Sequence, residues 1–71
     1  MYTVPELKVG QKVGATKGRS VEQVTIIGKS KYSMMFSPWW EVKTSKGKVE
    51  HIYYNQMMGE WEVKTKEYAM D

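Results

Sequence analysis

The chain has 71 residues, a formal net charge of +3 and no cysteine, which makes it one domain, 1–71, burying only about 60% of the surface its unfolded form exposes. Neither a disulfide nor a thiolate zinc site supplements so small a core, and a single His excludes a histidine-rich metal centre, so no cofactor or metal is expected. The first residues lack the basic-then-apolar layout of a signal peptide and no apolar run is long enough for a bilayer, which reads as a soluble cytoplasmic protein without membrane association.

In chain order, residues 7–13 form a glycine-containing lead-in to a strand at 12–16, and Lys17-Gly18-Arg19-Ser20 reads as a turn. A strand over 21–27 follows, in which Val24 and Ile26 alternate with Thr25 and Ile27, with apolar residues on both sides near its end. Gly28-Lys29-Ser30-Lys31 breaks it. Residues 32–38 read either as a short extra strand or as an apolar loop, closed in both cases by Pro38. Ser45-Lys46-Gly47-Lys48 then predicts a hairpin. With Lys46 and Gly47 as a two-residue loop, Lys43 faces Glu50, Val42 faces His51, Trp40 faces Tyr53 and Trp39 faces Tyr54, and the opposite charges of Lys43 and Glu50 support that register. Residues 55–59 suit one turn of 3₁₀ helix before a last strand at 60–65, and 66–71 read as a tail beyond an ordered core of about 7–65.

The pentapeptide Trp-Glu-Val-Lys-Thr occurs twice, at 40–44 and 61–65. Side chains of a strand alternate between faces, so each copy sets Trp, Val and Thr on one face and Glu and Lys on the other. Half-buried strands of this kind recur because alternation and strand propensity favour them, and two copies 21 residues apart are too few and too close for a domain repeat.

Five short strands, one tight hairpin and a single helical turn before the last strand predict an all-β fold, a small five-stranded barrel. The stretches 7–13, 21–27, 40–53 and 55–63 together resemble the SH3-like barrels, especially their Tudor and KOW-type members. The resemblance covers most of the chain as a pattern of elements. It implies a binding module that uses aromatic side chains near its loops, and its KOW-type form implies nucleic-acid binding.

The aromatic residues are the clearest functional feature. With Trp40, Val42 and Trp61 in the core, Trp39 and Tyr54 oppose each other on the other face of the hairpin. Tyr32, Met34, Met35, Phe36, Trp39 and Tyr54 are the expected anchors for a protein partner, since Trp and Tyr supply contact area at little rotamer cost and Met adapts to its partner. Such a chain reads as a free-standing regulator or adaptor of the sort that phage and mobile elements encode. The segment 34–36, or an edge strand, also offers a route to a homo-oligomer.

Charge supports an alternative. Residues 1–31 have a balance of +4 and residues 32–71 a balance of −1. Lys12, Lys17, Arg19, Lys29 and Lys31 are candidates for a phosphate-binding rim, with Tyr32 available for stacking on a base. No enzymatic activity is expected. In the predicted register His51 points away from Glu41 and Glu50, whereas a general base needs an acid or nucleophile within hydrogen-bond reach.

Overall fold

The computed structural model describes residues 5–35 and 37–64. Its strands are β1 (Lys12–Lys17), β2 (Ser20–Lys29), β3 (Trp39–Thr44), β4 (Val49–Asn55) and β5 (Glu60–Val63). They pair in chain order into a closed five-stranded barrel. Neighbours are antiparallel except at the seam, where β1 and β5 run parallel through Ala15 opposite Trp61 and Thr16 opposite Glu62. All-β architecture and barrel closure are therefore as the alternation predicts. The expected tail at 66–71 lies outside the described residues, as do the last residue of the second pentapeptide and Phe36.

Alternation builds the core. Ala15, Val24, Ile26, Val42, Ile52, Trp61 and Val63 turn inward from the five strands, and Leu7 joins them from the lead-in. Val13, Trp40 and Tyr54 pack against this cluster. Both pentapeptides thus contribute a Trp and a Val to the barrel interior, although Trp61 is buried and Trp40 half-buried. At the end of β2 the pattern breaks. Ile26 pairs with Val42 and Gly28 with Glu41, leaving Ile27 as the extra residue of a bulge. Ile27 accordingly faces solvent, and the expectation of an apolar second side at this end of the strand is corrected.

The β3–β4 hairpin departs from the predicted register. Its loop is three residues, Ser45-Lys46-Gly47, bounded by Thr44 N–H donating to Lys48 O at 2.8 Å. Gly47 N–H donates to Thr44 O at 2.9 Å, and Gly47 has a φ of +82°. A tight turn closed by a left-handed glycine is the standard three-residue alternative to a two-residue loop. The buried Thr44 hydroxyl holds it, accepting the amides of Lys46 at 3.3 Å and Lys48 at 3.1 Å. The pairs become Trp39 with Tyr53, Trp40 with Ile52, Glu41 with His51, Val42 with Glu50 and Lys43 with Val49.

One residue of slip turns every side chain of β4 to the other face. Ile52, Glu50 and Tyr54 therefore point inward, and His51 and Tyr53 outward. Glu50 does not meet Lys43. It reaches across to Lys17, Oε2 to Nζ 2.8 Å.

Two connections complete the barrel. Met34 and Ser37 exchange backbone hydrogen bonds of 3.0 and 3.1 Å, so the described residues of 32–38 form a loop with an isolated bridge and not a further strand. The 55–59 segment is a hydrogen-bonded turn, Gly59 N–H to Asn55 O at 2.7 Å, without the expected 3₁₀ helix. Asn55 Oδ1 organises it by accepting the amides of Met57 at 3.0 Å and Met58 at 3.2 Å. Among the described residues no helix is long and apolar enough to cross a membrane.

Candidate functional site

The outer face of β3, β4 and β5 carries two cross-strand rows set by register. One is Trp39, Tyr53 and Glu62; the other is Glu41 and His51, continued by Lys64, whose amide donates to His51 O at 2.7 Å. Trp39 and Tyr53 lie ring on ring, centroids 4.7 Å apart and planes at 32°. Glu62 secures the row at its far end, accepting Tyr53 OH and Asn55 Nδ2 at 2.7 Å each.

The 30–38 loop folds down over this face and adds Tyr32. Its ring stands 5.8 Å from Trp39 and meets the His51 ring edge-on at 5.0 Å. Lys64 Nζ lies 4.7 Å and Lys31 Nζ 5.3 Å from the Tyr32 centroid, within the range of attraction between an ammonium and a ring face.

Two serines fasten the loop. Ser33 Oγ accepts Trp39 N–H at 3.1 Å and Ser30 N–H donates to Trp39 O at 3.1 Å, so both backbone polar groups of Trp39 are engaged. The buried Ser30 hydroxyl accepts Tyr32 N–H at 3.1 Å and lies 2.7 Å from His51 Nδ1. Burial holds the His51 imidazole below its ordinary value; Glu41 across the ladder opposes this, and Lys31 and Lys64 add to it. His51 thus has a carboxylate facing it, contrary to the predicted register, which directed Glu41 away from it.

Of the six expected protein-binding residues, Tyr32 and Trp39 are brought together. Tyr54 is on the opposite face of β4, edge-on to Trp61 at 5.1 Å and packed on the core. Tyr53 holds the position expected for Tyr54. Met34 and Met35 are 64% and 88% exposed on the same loop, and Phe36 lies outside the described residues. The signal that selects Tyr53 is Ile52: placing this aliphatic residue in the core forces His51 and Tyr53 outward.

Comparisons with family models, curated proteins and solved structures find no match to this chain.

The five expected phosphate-binding residues do not form one rim. Lys12 pairs with Thr25 and Lys29 with Trp40, whereas Lys17 pairs with Ser20 beside Arg19 in the turn at the other end of β1. Lys12 and Lys17 lie five residue steps apart along the strand, roughly 17 Å. Lys29 Nζ lies 5.7 Å from the Trp40 centroid, and Lys31 is over Tyr32. Lys17 is instead grouped with Lys46 and Lys48, which line a cleft of about 170 Å³ with Glu22, Thr44 and Glu50. The Glu50 hydrogen bond and charge raise the Lys17 ammonium above its ordinary value. The second carboxylate oxygen of Glu50 is buried without a partner among the described residues.

Proposed function

We propose that this barrel is a non-catalytic, SH3-like binding module that takes a protein partner on the outer face of β3–β4, with Tyr32, Trp39 and Tyr53 as anchors and Met34 and Met35 at the rim. The observation that carries the reading is the contiguity of three half-exposed aromatic rings on one face. Large aromatic side chains dominate binding hot spots, and a surface ordered before binding loses less entropy on association. Ser30, Ser33 and Glu62 supply that order through the hydrogen bonds described above. The exposed methionines supply an adaptable margin.

The decisive comparison uses the immobilised full chain, its Trp39→Ala variant and a Lys17→Ala/Arg19→Ala variant, each offered the same cell extract at two salt concentrations. A protein retained by the wild type and by the lysine–arginine variant, and lost about tenfold or more with Trp39→Ala, is the expected result for a hot-spot aromatic. Undiminished retention of every bound protein by Trp39→Ala would sink the reading.

A second reading rests on the other end of the barrel, where Lys17, Arg19, Lys46 and Lys48 occupy the two adjacent turns. Phosphate contacts from these cations would give nucleic-acid binding that weakens steeply with salt and is lost in Lys17→Ala/Arg19→Ala. Titration of the amide spectrum with mixed-sequence single- and double-stranded nucleic acid tests it. Silence at low salt excludes it.

A further inference from the structure

His51 is joined to the loop that covers it by a hydrogen bond whose direction depends on protonation. Ser30 Oγ accepts Tyr32 N–H, and its own buried proton has an acceptor 2.7 Å away in the His51 Nδ1 lone pair when the ring is neutral with its proton on Nε2. An imidazolium carries a proton on Nδ1 and has no lone pair there to accept it. Ser30 is only 6% exposed, so its displaced hydroxyl proton would need a new acceptor inside the protein, which is costly. Tyr32 follows Ser30 by two residues and lies edge-on against the same imidazole.

We propose that Ser30 and His51 form a proton-sensitive latch that holds the turn at residues 30–33 on the outer face of β3–β4 when His51 is neutral and releases it when His51 is protonated. The groups facing His51 come from three elements. Burial chiefly disfavours the charged ring, Glu41 on β3 favours it, and Lys31 in the loop and Lys64 after β5 add to the effect of burial. Both lysines also approach Tyr32, so a third positive charge at His51 lies among cations held by the same loop. Release would separate Tyr32 from Trp39 and unfasten the Trp39 backbone from Ser30 and Ser33. Weaker partner binding in acid is a consequence that rests on the proposed function; the latch itself does not.

The test needs no partner. The labelled full chain is followed by NMR from pH about 8 to about 5, spanning the ordinary range of histidine titration. The expected result is that the amide resonances of Tyr32, Ser33 and Trp39 move with the His51 ring midpoint, while their protection from hydrogen exchange falls about tenfold, the order expected for one lost hydrogen bond. In His51→Gln, protection of the same amides should stay constant across the range. Resonance shifts without loss of protection overturn the latch, since a nearby charge moves resonances without opening a loop. Loss of protection that persists in His51→Gln overturns it too. Should that variant not fold, the wild-type protection profile decides alone.

Discussion

At the scale of single residues, two side chains tie stability to pH in opposite directions. His51 is held below its ordinary value of 6.5 in the folded state. Its unfolded form therefore takes up the proton first, and folding stability is full above that value and declines as pH falls through it, levelling off below the lowered folded value. Lys17 has its value raised from 10.5 by Glu50. Its contribution is present below 10.5 and is lost as pH rises through the raised value. Thermal melting should thus decline on both flanks, with the alkaline decline shrinking in Glu50→Gln and at high salt, because an exposed ammonium is screened. An alkaline decline unchanged in Glu50→Gln would show that this pair is not its source. Ile52 is the third residue of consequence. Fully buried opposite Trp40, it should cost about 2–5 kcal/mol as Ala, measured by urea unfolding, whereas neighbouring Tyr53→Ala should be milder because that ring is half-exposed.

At the scale of elements, the β3–β4 loop decides which face of β4 meets solvent. Its three residues set Trp39 against Tyr53 and put Ile52 inside. Gly47→Ala places a side chain at a φ of +82° and should destabilise the protein by about 1–2 kcal/mol, the cost of a left-handed conformation for an L-residue. Lys46→Asn is the more searching change, since Asn before Gly47 favours a two-residue loop between Ser45 and Lys48, which is the alternative register. The expected outcome is a less stable fold in the unchanged register, because the alternative pairing would bury His51 and expose Ile52. A well-folded variant with Trp39 beside Tyr54 in its NMR contacts would show that the barrel accepts both registers. The β1–β2 turn was legible by comparison. Gly18, with a φ of +63°, is the first of two central residues between Lys17 and Ser20, a placement characteristic of a type II′ turn.

For the molecule as a whole, closure is the weakest link. The β1–β5 seam has two residue pairs, against six between β1 and β2 and five between β3 and β4. Ala15, fully buried and facing Trp61 across it, has no room for a larger side chain, and Ala15→Leu should cost about 1–3 kcal/mol by overpacking. Local opening begins where few bonds hold. Native-state hydrogen exchange should find β5 and the lead-in least protected and the β2–β3–β4 sheet most protected. Uniform protection across the five strands would instead mean that the barrel opens only by global unfolding.

The sequence by itself determined the strands, their order in a closed barrel and the inward residues of β3 and β5, because alternation of Trp and Val with Glu and Lys is a local pattern whose period already matches the pleat. Tyr32 and Trp39 were likewise visible as surplus aromatics that so small a core cannot enclose. Only the tertiary structure decided the register of β4, the replacement of Tyr54 by Tyr53 on the aromatic face, the meeting of His51 with Ser30 and Glu41, and the separation of Lys17 from Lys29 and Lys31. In each case residues far apart in sequence are brought together or kept apart by the fold. A one-residue difference in loop length, invisible to alternation within either strand, determines which side of β4 the core claims.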